Sequence, residues 1–274
     1  MLSDVAFGQY YPVSSPVHRL DPRTKIVILI AYIVMIFLIK NFVGFVLAGA
    51  FLLATIIIAK VPIGSVIKSV KAILFIIIIT FIINLFLHKE EGAKVLFDVW
   101  LLNKITDKSI KYALFMALRL SFLVFGSSLL TLTTTPVSLT DGIESLLTPL
   151  KWIRFPVHEL ALIMSIALRF IPTLMEETDR IISAQKARGA DFETGNFLKK
   201  AKALLPVLIP LVISAFRRAE ELGDAMDARC YNGSKNRTKY KKLTFKFRDF
   251  VSVFITAAVF TAVIFANIYL GGIV

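Results

Sequence analysis

The chain has 274 residues, of which 57% are hydrophobic, and its mean hydropathy is +0.75. A soluble domain is typically about 45–50% apolar, so the composition excludes an ordinary soluble domain and predicts an integral membrane protein. The net charge of +13 would also fit a nucleic-acid-binding protein, but no module of that kind is recognisable, and membrane proteins collect Lys and Arg on cytoplasmic segments. The single cysteine, Cys230, excludes an intramolecular disulfide and a metal site built from several cysteines.

Residues 1–25 are polar and rich in turn-forming residues, which predicts a segment lying beside the membrane. They contain no apolar stretch of the kind that a signal peptide requires. Arg23 and Lys25 directly precede the first apolar run. By the positive-inside rule, this arrangement predicts a cytoplasmic N-terminus.

Apolar runs predict five membrane-spanning helices. Ile26–Ile39 and Phe42–Ala59 are separated by only two polar residues, and together they exceed the roughly 20 residues of one span. We therefore expect a hairpin of two spans. The other predicted spans are Ala72–Leu87, Tyr112–Leu132 and Phe250–Leu270.

The charges of the connections set the predicted topology. Lys60, Lys68 and Lys71 lie close to Pro62 and Gly64, which predicts a basic turn on the cytoplasmic side. The connection His88–Lys111 is nearly neutral, as expected of a loop outside the cell. The C-terminus is expected outside after the fifth span.

The fourth predicted span contains Arg119, and two explanations stay open. An intramembrane Arg costs about 2.5–3.5 kcal/mol at the centre of a span, so it usually faces protein or a water-filled cavity. Alternatively, the side chain lies near the outer end of the helix and snorkels to the interface. Lys108 and Lys111 precede it by only a few turns, which favours snorkelling.

The composition becomes more polar after Pro136, and residues 136–249 are predicted to lie in or against the cytoplasm. Apolar residues at helical spacing alternate there with charges, which indicates amphipathic helices. Asp141 and Asn196 are candidate N-caps, and Pro206 and Pro210 should curve or break the last helix. The predicted helices are Pro136–Leu150, Pro156–Arg188 and Asn196–Arg229.

An additional span at Pro156–Met175 is the main alternative. It would place Glu159 and Arg169 in lipid, at about 2.5–3.5 kcal/mol for the central charge alone. It would also move the following basic region outside unless Ala203–Phe216 crossed as well, and that segment is shorter than the roughly 17 residues needed. We therefore reject the extra spans.

The sequence contains no catalytic constellation. It has no G-x-x-x-x-G-K-[ST] loop, so any ATP hydrolysis belongs to a partner. His18, His88 and His158 lie in different segments without metal-ligand spacing. We predict no enzyme activity, no cofactor and no metal. The spans contain almost no acidic residues, which argues against a proton-coupled carrier.

Two similar motifs end the last two amphipathic helices. Arg188 and Arg229 could be cations favoured at helix C-termini by the macrodipole, with Gly189 as a left-handed cap. Alternatively, two equivalent arginines enter two equivalent grooves on a partner, where a guanidinium pairs with carboxylates or backbone carbonyls. The motifs are Ala187-Arg188-Gly189 and Ala228-Arg229-Cys230.

The paired motifs, together with "LDPRTK" (Leu20–Lys25) and "LRFIPTLMEE" (Leu168–Glu177), resemble the T component of energy-coupling factor transporters over nearly the whole chain. The resemblance implies a membrane scaffold that docks two ABC-type ATPase subunits and holds a substrate-binding S component. Cys230 stands where the family usually has Gly or Ser, so Gly233 is a candidate cap instead. The implied ATPase-docking residues are Ala187, Arg188 and Gly189 for one subunit and Ala228, Arg229 and Cys230 for the other.

The sequence therefore predicts an all-α, multi-pass protein of the cell membrane that couples the ATPases to uptake of a vitamin or other micronutrient. A self-contained secondary transporter is the first alternative, and a membrane enzyme of unknown chemistry is the second. The sequence does not identify the substrate. The predicted organisation is a cytoplasmic segment 1–25, four spans in 26–135, a cytoplasmic coupling-helix domain 136–249, and the fifth span with the C-terminus in 250–274.

Overall fold

The computed structural model describes residues 10–87, 95–99, 103–153, 155–192, 196–233 and 243–269. The chain divides into two compact units. The first contains the described residues 10–142 and 243–269, and the second contains the described residues from 143 to 233.

The described residues are almost entirely helical, which confirms the predicted all-α membrane class. A short antiparallel pair of strands, β1 (Val95–Val99) and β2 (Asn103–Thr106), is an addition to that class, and it connects the third and fourth helices. A 3₁₀ helix, Thr148–Ile153, follows the fifth α-helix. The α-helices are α1 (Pro22–Leu38), α2 (Phe42–Ala59), α3 (Ile63–Leu87), α4 (Asp107–Thr133), α5 (Pro136–Leu147), α6 (Val157–Ala187), α7 (Phe197–Asp227) and α8 (Phe247–Tyr269).

The two largest differences from the predicted boundaries are at the starts of α3 and α4. The basic turn is shorter than expected: Lys60 ends α2 in a left-handed conformation with φ 55°, but Lys68 and Lys71 lie inside α3. Lys is a good helix former, so basic residues after Pro62 do not prevent a helix. The predicted outer loop, of which residues 88–94 and 100–102 lie outside the described residues, ends earlier than expected because α4 begins at Asp107.

The core of the first unit lies between α1, α2 and α4. Met35 and Ile36 of α1 and Phe115 of α4 are almost completely buried. The rings of Phe45 and Phe115 meet edge to face with centroids 4.7 Å apart. The outward surfaces expose large apolar side chains, which suits a hydrocarbon surrounding; examples are Val46, Ile57, Phe75 and Phe254.

Arg119 closes the end of α1. Its Nη2 donates to the carbonyl of Ile39 at 3.0 Å, and the guanidinium lies 5.3 Å from the ring centroid of Phe115. Ile39 is the C-cap residue of α1, and the last carbonyls of a helix have no partner within it. Arg119 therefore contacts protein at the end of α1, and the choice between the two explanations of its depth in the membrane stays a prediction.

Asparagine side chains form hydrogen bonds between the turn that joins α1 and α2 and the end of α8. Asn267 Nδ2 donates to Leu38 O at 2.8 Å, and Asn267 Oδ1 accepts from Lys40 N at 3.1 Å. Asn41 Nδ2 donates to Ala266 O at 2.8 Å. Backbone groups that the helix ends leave unpaired are thus satisfied by side chains.

A buried polar cluster joins the start of α1, the end of α4 and the start of α8. Lys25 Nζ donates to Thr133 O at 2.8 Å and to Thr134 Oγ1 at 3.1 Å. Asp249 is buried, and its Oδ1 accepts from Asp21 N at 2.8 Å. Residues of the "LDPRTK" segment therefore hold three helix ends together.

Within the described residues, α2, α4, α6 and α8 are long and apolar enough to cross a membrane by length and composition. Helix α1 has 17 residues, and α3 contains the shorter apolar stretch Ile73–Phe86. The chain is a multi-pass membrane protein. Because α6 meets the same criterion, length and composition do not separate it from the spans.

In the second unit, the end of α5 contacts the start of α6 through a hydrogen bond between two side chains. His158 Nδ1 lies 3.1 Å from Glu144 Oε1, and both side chains are largely buried.

Of the two predicted N-caps, Asp141 is wrong, since it lies inside α5; the hydroxyl of Thr135 caps that helix by accepting from Ser138 N at 3.3 Å. Asn196 occupies the N-cap position of α7 as predicted, and its side chain makes no capping hydrogen bond. Of the expected curve or break at Pro206 and Pro210, the break is absent, because α7 is continuous through both residues.

Candidate docking ends of the helical hairpin

Helices α6 and α7 form a hairpin in which the chain reverses direction. Gln185 Nε2, near the end of α6, donates to Pro206 O at 3.4 Å. Further back along α6, Glu177 Oε2 pairs with Nη2 of Arg218 at 2.9 Å. From Gln185 back to Glu177 on α6, the contacting residue on α7 advances from Pro206 to Arg218. The two helices are therefore antiparallel.

The first arginine motif ends α6 in a Schellman turn, in which a left-handed residue returns two N–H groups to the last carbonyls of the helix. Gly189 has φ 86°. Its N–H donates to Lys186 O at 3.0 Å, and the N–H of Ala190 donates to Gln185 O at 3.0 Å. Arg188 is the last residue before the left-handed position.

The second motif ends α7 with the same bonds. Cys230 has φ 54°. Its N–H donates to Asp227 O at 2.9 Å, and the N–H of Tyr231 donates to Met226 O at 3.0 Å. Cys230 itself takes the left-handed position, so the prediction that Gly233 would replace it is wrong, although Gly233 also has a positive φ of 69°.

The two motifs therefore present equivalent arginines. Arg188 and Arg229 each precede the left-handed residue directly, and both are exposed. Within the described part of the chain, neither guanidinium makes an ion pair or a hydrogen bond. A solvated, unpaired guanidinium retains its five N–H donors for a partner.

The hairpin separates the arginines. Arg188 lies three residues after Gln185, which contacts Pro206. Arg229 lies 23 residues after Pro206 in the sequence, which corresponds to roughly 35 Å of α-helix. The structure thus brings the three residues of each motif together, and it places the two motifs at opposite ends of the hairpin.

The ion pair between Glu177 and Arg218 was not predicted. Glu177 is the second acidic residue of the "LRFIPTLMEE" segment. Its position on an amphipathic helix is the sequence feature that indicates a cationic partner on a neighbouring helix. The pair is about one-third exposed on both sides, so its energy is small, about 0–1 kcal/mol. It contributes to the register of the hairpin that separates the two arginines.

The hairpin also exposes apolar side chains. On α7 they recur at intervals of one and three residues, which places them on one face of the helix. We call this face the apolar stripe of α7, and it consists of Leu204, Leu205, Leu208, Ile209, Val212, Ile213 and Phe216. Helix α6 exposes Leu160, Ile163, Met164 and Ile171.

Among the described residues, no group of three or more His, Cys, Asp or Glu side chains could hold a metal ion. The hairpin offers two exposed guanidinium groups at helix ends and an apolar surface between them.

Comparison with known proteins gives the class of this helical multi-pass membrane protein. A family profile described as "CbiQ: Cobalt transport protein" matches residues 13–240. The energy-coupling factor transporter transmembrane protein EcfT of Ruminiclostridium cellulolyticum is 49% identical over 264 residues, which cover 96% of this chain and 97% of that protein. EcfT of Bacillus subtilis is 44% identical over 265 residues, covering 97% and 98%.

The chain therefore belongs to the CbiQ/EcfT family, the transmembrane components of energy-coupling factor transporters.

Proposed function

We propose that this chain is the coupling subunit of an ATP-driven importer, in which Arg188 and Arg229 each dock on one of two ABC-type ATPase subunits. The observation that supports it is the repetition of one geometry: at each end of the α6–α7 hairpin, an exposed arginine that is unpaired among the described residues stands directly before a left-handed residue. A macrodipole effect explains a cation at a helix end. It does not explain why two helices end in the same turn with the same exposed arginine.

The apolar stripe of α7 is the proposed contact for a substrate-binding S component. Its seven large side chains are exposed, and contiguous exposed apolar surface marks an interaction site. When ATP binding and hydrolysis move the two ATPase subunits, the hairpin transmits the motion to the S component, which reorients and releases a vitamin or other micronutrient. The chain itself hydrolyses nothing in this scheme.

The proposal requires α6 and α7 to lie on the cytoplasmic side, with α1, α2, α3, α4 and α8 as the five spans and the N-terminus inside. Although α6 is long enough to cross, Glu159 and Arg169 would each enter lipid, at about 2.5–3.5 kcal/mol near the centre.

Cys230, the only cysteine in the chain, tests this topology because it is exposed beside Arg229. A membrane-impermeant maleimide should label it in inverted vesicles and leave it unlabelled in right-side-out vesicles. Labelling from the outside would contradict the proposed placement of the hairpin. Addition of the ATPase subunits to inverted vesicles should slow the labelling, since docking covers the end of α7.

Substitution of the arginines tests docking itself. Arg188→Ala and Arg229→Ala should each weaken the capture of ATPase subunits at least about tenfold, since each removes charge-assisted hydrogen bonds. The double variant should lose assembly or uncouple hydrolysis from uptake. Matched controls are Arg180→Ala on α6 and Arg217→Ala on α7, which remove exposed arginines away from the helix ends. Normal assembly and transport by the double variant would overturn the proposal.

The alternative, a self-contained secondary transporter, predicts substrate flux by the purified chain alone in liposomes. We expect no flux without the ATPases and an S component.

A further inference from the structure

The first unit contains an elongated groove of about 480 Å³ that the coupling function does not use. Its walls come from α1, α2, α4 and α8, and residues 16–20 cover one end. Its volume lies within the roughly 300–1,000 Å³ of ligand sites. Ile58, Val251 and Ile255 line it and are exposed, so the groove opens to the outer surface of the unit.

The hydroxyls of the described residues that line the interior of the groove all donate to backbone carbonyls. Tyr32 hydroxyl donates to Phe122 O at 3.1 Å, and Thr55 Oγ1 donates to Phe51 O at 2.8 Å. The other wall hydroxyls do the same within their own helices: Thr133 to Leu129 O, Ser252 to Asp249 O and Thr256 to Ser252 O. A polar solute in the groove would lose its hydrogen bonds to water without gaining hydrogen bonds to the protein. An alkyl chain makes no hydrogen bonds and has no such cost.

Two basic residues lie at one end of the groove. Among the described residues that line it, Lys25 and Arg248 are the charged ones, and the opposite charge of the buried Asp249 acts on Lys25. The Nζ of Lys25 donates only to neutral oxygens, those of His18 O, Thr133 O and Thr134 Oγ1. Arg248 is exposed and has no ion pair among the described residues. The neighbouring carboxylate of Asp249 accepts two backbone N–H groups and is not part of the lining.

The opposite end is apolar. Tyr32 and Phe51 line it, and the ring of Tyr32 lies against Gly126, where a side chain would overlap it. Tyr32 follows Lys25 by seven residues on α1, so the two ends are roughly 10 Å apart. The groove thus combines an apolar channel with cations at a single end.

We propose that this groove binds an anionic phospholipid, with one acyl chain between α1, α2, α4 and α8 and the phosphate beside Arg248 and Lys25. The unit lies in a membrane, where phospholipid is the abundant molecule with this division between an anionic head and an alkyl tail. Arg248 provides a guanidinium fork that suits phosphate oxygens. The acyl chain provides van der Waals contacts to the side chains that line the groove, which would otherwise lack them.

A photoreactive phosphatidylglycerol with a diazirine in its acyl chain tests the site in the unmodified protein. The full chain, in nanodiscs, should yield adducts on peptides containing Leu129 or Val251. Adducts confined to outward side chains such as Phe254 would overturn the proposal. Loss of the groove adducts when a partner membrane protein is bound would assign the groove to that partner and would also overturn it.

Neighbouring isoleucines provide a matched pair for native mass spectrometry with phosphatidylglycerol. Ile58 lines the groove, whereas Ile57 is exposed and does not. Ile58→Trp should fill the groove and reduce retained phosphatidylglycerol at least about tenfold, while Ile57→Trp should leave retention unchanged. Equal retention by the two variants would contradict a groove site.

The charge requirement is tested on α8 with Arg248→Gln and with Lys246→Gln as the control outside the lining. Arg248→Gln should weaken phosphatidylglycerol retention about fivefold, as expected for one basic residue near an anionic lipid, and should leave phosphatidylcholine unaffected. Equal retention of the two lipids by the wild-type chain would overturn the assignment to an anionic lipid.

Discussion

The two ends of the hairpin provide a reciprocal pair of substitutions, Cys230→Gly and Gly189→Cys. Both positions have positive φ, 54° and 86° respectively, and both make the same pair of backbone hydrogen bonds. A Cβ added at Gly189 would meet no atom within 4 Å. The substitution Gly189→Cys therefore changes the backbone preference of this position without creating a steric clash.

The magnitude follows from backbone energetics. The left-handed conformation costs a residue with a Cβ about 1–2 kcal/mol, whereas glycine adopts it freely but loses about 0.4–1 kcal/mol more entropy on ordering. Cys230→Gly should therefore stabilise the end of α7 by about 1 kcal/mol. Gly189→Cys should destabilise the end of α6 by a similar amount.

Hydrogen exchange followed by mass spectrometry measures these effects locally. The N–H groups of Cys230 and Tyr231 close the turn at α7, and their protection reports its opening. After correction for the intrinsic exchange rates of the two sequences, exchange should slow about fivefold in Cys230→Gly and accelerate about fivefold at the matching amides in Gly189→Cys. Unchanged protection in both variants would refute the assignment of strain to Cys230.

Three further substitutions test the first unit. Arg119→Met should lower the free energy of unfolding in detergent by about 1–3 kcal/mol because it leaves the terminal carbonyl of α1 without a donor, and equal denaturation midpoints would contradict this. Lys25→Met should loosen the end of α4 and speed hydrogen exchange near Thr133; unaltered exchange there would show that the hydrogen bonds of Lys25 are dispensable. Gly126→Ala should displace the ring of Tyr32 and lower the free energy of unfolding by about 1–3 kcal/mol. Thermal unfolding of the purified chain would detect this loss, and a midpoint equal to that of the wild type would exclude close packing at this position.

Helix positions were predictable from sequence because apolar runs and helical periodicity depend on local spacing. The bounds of α2 agree with the prediction residue for residue. The predicted start of α3 is too late because the sequence pattern places Lys68 and Lys71 in a turn, although Lys is compatible with a helix. The N-cap of α5 was missed because Asp141 and Thr135 are both acceptable capping residues, and sequence alone does not choose between them.

The environment of single side chains was less predictable, since it depends on contacts between distant residues. The partner of Arg119 is Ile39, 80 positions earlier, and no local pattern connects them. The prediction that Gly233 takes the left-handed position instead of Cys230 is wrong for a different reason. Glycine is the usual residue in that position, and the sequence pattern therefore favours Gly233. At Cys230 the closing hydrogen bonds outweigh the backbone preference. The motif residues were identifiable from sequence, but their equivalent turn geometry required the structure.

The matched ends of the hairpin have a consequence for symmetry. Paired subunits are commonly related by a two-fold axis and then display two identical surfaces, whereas a single chain without internal repetition has no such axis. Under the proposed function, α6 and α7, which end in the same turn with Arg188 and Arg229 in the same local position, would present the same docking surface twice. An asymmetric subunit would then bind both members of a symmetric pair without a second copy of itself.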